Sequence, residues 1–210
     1  MDKQTSKSSN KTITLYHASD QIRRVEDIIF PGPRNNCDFG VGFYLAESKQ
    51  TAEEWVIGRT NPTINVYNFD IPSTSVLYLT GRDWVRVVVG FRKKQYKINF
   101  KSHIICGIIA NDRMDESLST FLDGEIGDLR LLKCLDYCKL GNQYLLRKPI
   151  SDLKYVKHYA LKGLEYQRAS ERYYNRHRGI KSELLRIKRQ SIPGELFVED
   201  YLKEGDFVEA

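Results

Sequence analysis

Asp38-Phe39-Gly40-Val41-Gly42-Phe43-Tyr44-Leu45-Ala46 sets two glycines against an aromatic, apolar run. A dinucleotide-binding fingerprint would need a third glycine at position 45 and a helix directly after it, and Leu45 stands there instead. No G-K-[ST] phosphate loop occurs either. What the run offers is a backbone that turns tightly beside Tyr44. Taken alone it reads as a β-turn ahead of a core tyrosine or as the wall of a ligand site. Asp38 reads as a cap of that turn or as a ligand contact, with capping favoured.

Upstream, Thr12-Ile13-Thr14-Leu15-Tyr16 alternates polar and apolar β-formers. That period of two predicts a strand, with His17-Ala18-Ser19-Asp20 delivered at its end. Pro31-Gly32-Pro33 and Asn35-Asn36 mark the loop leading to the glycine run. Downstream, Ser48 or Thr51 is placed to cap a helix reaching about Gly58, since Thr51 and Glu54 have capping-box spacing and Ala52, Trp55 and Val56 share a face. Strands are expected over 63–69 and 75–79, and a helix over 83–94 despite its Val87-Val88-Val89 run. A buried strand over 103–110 ends in Asn111-Asp112, which reads as a turn or as the acceptor side of a site. Helices over 115–121 and 126–140 are broken by Asp123-Gly124, and strands over 143–147 and 152–160 close the domain.

With 210 residues the chain has room for one full core but not comfortably for two enzyme domains. Lys and Arg number 33 against 27 Asp and Glu, a net charge of +6, which suits an acidic ligand without demanding one. Residues 1–11 are Ser-, Lys- and Asn-rich and read as a flexible N-terminus. The first ten residues lack the apolar core of a signal peptide, and the apolar run at 85–91 is interrupted by Arg86. The expectation is a cytoplasmic protein with no membrane partner. Cys37, Cys106, Cys134 and Cys138 form no C-x-x-C pair; Cys134 and Cys138 share a helical face with Leu131 and Leu135, so core packing is expected there rather than metal. His103, His158 and His177 stand in no motif and read as structural.

L-Y-H-A-S at 15–19, D-F-G-V-G-F-Y-L-A at 38–46 and N-Q-Y-L-L at 142–146 occur in an order and spacing that resembles the diphtheria-toxin and poly(ADP-ribose) polymerase class of ADP-ribosyltransferases. The likeness is strongest to an uncharacterised bacterial, toxin-like family of that fold, and it covers about residues 12–160. It implies an α+β fold, a split β-sandwich of two mainly antiparallel sheets around a cleft with flanking helices. This domain would span 12–162, with a C-terminal helical extension over 163–210. By the same resemblance NAD is the substrate and no metal is required. His17 hydrogen-bonds a ribose, Ala18 and Ser19 grip the nicotinamide carboxamide, Gly42 and Tyr44 form the stacking wall, and Gln143 takes the catalytic acceptor position. Ala18 stands where that class usually has glycine. Ser48 and Trp55 fall where a further hydroxyl and a second aromatic close the pocket. Implied partners are a macromolecular acceptor, protein or nucleic acid, and an antitoxin or immunity protein.

Those residue types suit the chemistry. Breaking the bond from nicotinamide to ribose passes through an oxocarbenium-like centre, so a site must hold a flat ring, pin its amide and set acceptor oxygens near the sugar. Where the polymerase-type enzymes carry glutamate, Gln143 offers a neutral oxygen. The exchange costs about 1–3 kcal/mol of transition-state stabilisation, or about one to two decades of rate. Transfer of single ADP-ribose units is then expected and chain elongation is not; the alternative is an NAD-binding module without turnover.

Two further readings compete. Ser73-Thr74-Ser75 and Asp123-Gly124-Glu125 echo the arginine-serine-glutamate class, but Tyr16-His17 stands where that class needs arginine. Along 165–189, Tyr166, Tyr173 and Tyr174 alternate with Arg168, Arg172, Arg176 and Arg178, a pattern able to neutralise phosphates and stack on bases. The same helix and the acidic segment over 195–210 serve equally to bind a protein partner or to fold against the core.

Overall fold

The computed structural model describes residues 11–30, 37–71, 76–94, 97–110, 116–203, 205 and 207–208. The 1–10 segment, Pro31-Gly32-Pro33, Asn35-Asn36, Ser73-Thr74-Ser75 and Asn111-Asp112 lie outside them.

Strand β1 (Thr12–Ser19) follows from the expected alternation but runs through Ser19 instead of stopping at Tyr16. The cause is its partner. Strand β3 (Thr63–Asp70) pairs antiparallel along its whole length, from Thr12 opposite Asp70 to Ser19 opposite Thr63. On its far side β3 pairs with β8 (Leu153–Ala160), with an irregularity between Val66 and Tyr67. A second group contains β2 (Phe43–Ala46), β4 (Val76–Leu79), β6 (Ile104–Ile108) and β7 (Asn142–Leu146). Within it β4 and β6 are parallel, while β6–β7 and β2–β7 are antiparallel.

The groups are not separate sheets. They join into one mixed seven-stranded sheet of order β4-β6-β7-β2-β1-β3-β8. The joint is narrow, because β1 and β2 are in register only at Tyr16 opposite Ala46. A small parallel pair, β5 (Ile98–Asn99) and β9 (Phe207–Val208), stands apart.

Helices cover one face of the sheet. Helix α1 (Lys49–Trp55) is capped by Ser48, whose hydroxyl accepts the Thr51 N–H at 3.1 Å. Thr51 instead donates to the Leu140 carbonyl, so the cap is the first of the two candidates. Helix α2 (Gly81–Lys93) keeps its β-branched run helical because Trp84, Val85, Val87, Val88 and Val89 are all buried; apolar burial outweighs a propensity penalty of about a few tenths of a kcal/mol per residue. Helices α3 (Ser117–Leu122) and α4 (Asp128–Cys138) are separated, as expected, at Gly124, which takes a φ of +79°. Cys134 and Cys138 pack in the core beside Leu140 and Ala52. On the opposite face Leu15, Phe43, Leu45, Tyr67 and Leu146 are covered by Val25, Ile28 and Phe30.

The C-terminal segment folds against this core. Helix α5 (Gly163–Lys188) lays Ala169, Ile180, Leu184 and Ile187 on the same apolar cluster. Two of its arginines are turned inward as well: Arg172 pairs with Glu53 at 2.6 Å and Arg176 with Glu54 at 3.3 Å, while Arg168 and Arg178 stay exposed. Helix α6 (Val198–Leu202) is tied down by buried Asp128, which accepts from the Tyr201 hydroxyl, the Leu196 N–H and Arg82. Among the described residues no helix is long and apolar enough to cross a membrane.

Candidate active site

Beyond Tyr16 and Ala46 the strands β1 and β2 diverge, and the gap opens into a cavity of about 230 Å³. β1 contributes His17, Ala18 and Ser19, and Gly42, Phe43 and Tyr44 face them from β2 and its approach. Arg23, Asp27, Ile28 and Ile29 close another side from around a single 3-10 turn (Val25–Asp27), and Arg59 comes from the chain after α1. The edge of β1 that pairs with β2 ends where the site begins.

His17 bridges the gap. Its Nδ1 lies 2.8 Å from the Tyr44 carbonyl oxygen, and its ring centroid lies 4.4 Å from that of Phe43. A carbonyl oxygen only accepts, so Nδ1 carries the proton, and in the neutral imidazole Nε2 is the acceptor nitrogen. Ser19 is 9% exposed, and its hydroxyl accepts the Gln21 N–H at 3.2 Å. Arg59 is held by Asp20 at 3.2 Å and by the Trp55 carbonyl.

The glycine run is explained by contact rather than by phosphate binding. Gly40 has φ +86°, and a Cβ there would sit 2.5 Å from the Phe91 ring. A Cβ on Gly42 would collide with the Leu146 carbonyl oxygen and the Leu145 side chain, so β2 approaches β7 as closely as it does only because position 42 is bare. The turn is then fastened by Tyr44, whose hydroxyl donates to the Gly40 carbonyl at 2.7 Å and accepts from the Phe39 N–H at 3.1 Å. Burial, with Cys37 and Asp38 adding to it, pushes this phenol well above its ordinary range, so it stays neutral. Its ring lies 6.4 Å from that of Phe39, nearly parallel.

Gln143 does not line the cavity. It sits on β7 between Ala46 of β2 and Gly107 of β6, in the same cross-strand row as Tyr16. Its Nε2 donates to Asp38 Oδ2 at 2.9 Å. Asp38 Oδ1 in turn receives Arg92, Nε at 3.1 Å and the terminal nitrogen at 2.6 Å. In place of the turn cap favoured by its sequence position, Asp38 thus commits both oxygens to Arg92 and Gln143. Ser48 also lies off the cavity lining, its hydroxyl engaged as the α1 cap. Trp55 is likewise absent from that lining, and its carbonyl holds Arg59.

Residues 23, 27–29 and 59 join the cavity without any sequence motif to announce them. Their signal is compositional at most: Ile29, 69% exposed, is an apolar side chain outside the core clusters. The Asp38–Arg92 pair is marked only by an aspartate shortly before the glycine run.

The sheet with its narrow joint, and the cleft at that joint, define an α+β domain with a concave site between its two strand groups. Residues 13–158, well over half of the chain, match the family described as Protein of unknown function (DUF3990), and the chain belongs to that family. Neither the curated proteins nor the solved structures provide a match.

Proposed function

We propose that this protein is a cytoplasmic mono-ADP-ribosyltransferase that moves ADP-ribose from NAD to a macromolecular acceptor and releases nicotinamide. The two strand groups act as the halves of a split β-sandwich in the manner of the ADP-ribosyltransferases. One observation carries the reading: His17, Ser19 and Tyr44, taken from two of the three motifs, line one cavity where β1 and β2 part. A cavity of about 230 Å³ is smaller than the roughly 300–1,000 Å³ usual for whole ligands. It suits the nicotinamide end of NAD, leaving the phosphates and adenosine along the open side by Arg23, Arg59 and Ile29. In that arrangement Tyr44 supplies a ring face, Ser19 a hydroxyl and β1 its unpaired backbone edge for the carboxamide, and His17 an acceptor nitrogen for a ribose hydroxyl. Binding that pins both ends of the scissile bond lowers the barrier by positioning.

Incubation with NAD labelled on the adenylate side, in a cell lysate, tests this. Label on a macromolecule with release of nicotinamide is the expected result. Intact NAD retained by the protein without release supports the second reading, a binding module, which is favoured by the neutral amide of Gln143 and its place off the cavity lining. A toxin role, with an antitoxin or immunity protein as partner, predicts growth arrest on expression that His17→Ala relieves. Nucleic-acid binding through α5 is disfavoured by the pairing of Arg172 and Arg176 with Glu53 and Glu54.

A further inference from the structure

The stretch of cavity wall that carries Arg23 belongs to no helix or strand, so its backbone polar groups must be satisfied from elsewhere. Side chains of β3 do this. Asn65 Oδ1 accepts the Arg23 N–H at 2.8 Å, and Asn65 Nδ2 donates to the Gln21 carbonyl at 3.0 Å. Two residues further along the same face of β3, the Tyr67 hydroxyl donates to the Arg23 carbonyl. Asn65 and Tyr67 are both 0% exposed. Asparagine is a poor strand former, and a buried amide is costly unless it is hydrogen-bonded. Both ends of the Asn65 amide are used on the backbone of residues 21 and 23, so it takes the part of a peptide group in a neighbouring strand.

The latch fixes one of two cations at the cavity. Arg59 is already engaged, by Asp20 at 3.2 Å and by the Trp55 carbonyl. Among the described residues the guanidinium of half-buried Arg23 has no hydrogen-bond or ion-pair partner. Asp27, the carboxylate that shares the lining, accepts the Arg24 N–H at 3.1 Å. An unpaired, partly desolvated guanidinium whose backbone is held at both its N–H and its carbonyl is a receptor for an anion, set in place before the anion arrives.

We propose that Arg23 takes the phosphate of a ligand whose ring occupies the apolar part of the cavity, and that Asn65 and Tyr67 are the positioning residues that hold Arg23 for it. The ligand class is a ring-bearing nucleoside phosphate. Within the transferase reading, on which this rests, it is the nicotinamide mononucleotide half of NAD.

The test measures by calorimetry the Kd of nicotinamide mononucleotide and of nicotinamide riboside, which differ by one phosphate. Their ratio is the readout, because a general loosening of the fold weakens both ligands and leaves the ratio in place. Wild type is expected to bind the mononucleotide at least about ten-fold more tightly, and Arg23→Gln to erase that preference. Tyr67→Phe keeps the ring contacts with Phe43 and Tyr155 and loses the bond to the Arg23 carbonyl. Tyr67→Phe and Asn65→Ala are each expected to cut the ratio about three-fold or more with Arg23 still present; if Asn65→Ala does not fold, Tyr67→Phe decides alone. Arg59→Gln is expected to lower the ratio less than Arg23→Gln does. A wild-type ratio near one, a ratio unchanged in Arg23→Gln, or a larger fall in Arg59→Gln overturns the anion role. A ratio unchanged in Tyr67→Phe and Asn65→Ala overturns the latch. In each of these cases nicotinamide release from NAD by the wild type leaves the transferase reading standing, whereas a wild-type protein that binds neither compound nor NAD overturns both.

Discussion

His17 Nδ1 reaches the backbone carbonyl of Tyr44 at 2.8 Å, across the gap where β1 and β2 have stopped pairing. A side chain here replaces a rung of the ladder, so the strands are held together while their edges stay open to a ligand. His17→Ala removes both the rung and the acceptor nitrogen. The fold is expected to lose about 1 kcal/mol, one net hydrogen bond, seen as a Tm lower by several degrees. Nicotinamide release is expected to fall about 10- to 100-fold. A variant that melts earlier but cleaves NAD at the wild-type rate confines His17 to the structural part.

The ring and the hydroxyl of Tyr44 do different work. Tyr44→Phe breaks the bonds to Gly40 and Phe39 and is expected to cost about 1–2 kcal/mol of stability with NAD cleavage within a few-fold of wild type. Tyr44→Ala removes the stacking face, and a loss of at least about ten-fold in cleavage is expected. Steady-state kinetics beside denaturant melts separate the two; equal losses of activity in both variants would assign the role to the hydroxyl.

Gly42→Ala forces a Cβ onto the Leu146 carbonyl, a backbone atom that has no flexible end to swing away. Overpacking of this kind costs about 1–3 kcal/mol or more. Gly58→Ala makes a useful contrast, since nothing lies within 4 Å of its added Cβ and only its φ of +83° is strained; about 1 kcal/mol is expected there. Urea midpoints of the two variants check the order, and an equal or reversed ranking contradicts the close approach of β2 to β7.

Glu54 is 3% exposed between Arg176 at 3.3 Å and the Gln50 amide at 3.2 Å. Burial raises its pKa above the ordinary 4.5, outweighing the lowering by Arg176 and Gln50. The folded state therefore holds the proton more tightly than the unfolded chain. The contribution of Glu54 is greatest at and below the ordinary glutamate range and is lost as pH rises through the folded value. The Tm of wild type minus that of Glu54→Gln, followed upward from about pH 4, is expected to decline. A difference that climbs with pH would show the ion pair with Arg176 to be the larger effect.

Local pattern is legible where the cause is local. The alternation at 12–16, the Ser48 cap, the helix break at Gly124 and the cysteine face of α4 all depend on neighbours within one or two turns, and they stand in the structure where the residues imply. Features set by distant partners are not. The last residues of β1 are strand because Asn65, Ile64 and Thr63 pair with them. The joining of two expected sheets into one depends on a single register pair between Tyr16 and Ala46. Asp38 meets Arg92 across 54 residues and Gln143 across 105, which no periodicity encodes. The arginines of α5 look solvent-facing by composition, yet Arg172 and Arg176 answer carboxylates that α1 brings beneath them.

Chromatographic detection of nicotinamide after incubating the purified protein with NAD goes most directly to the chemistry assigned to the β1–β2 cleft. The expected result is time-dependent release by the wild-type protein, reduced at least about ten-fold in His17→Ala. NAD recovered intact, with and without added cell lysate as a source of acceptors, is the result that would contradict it.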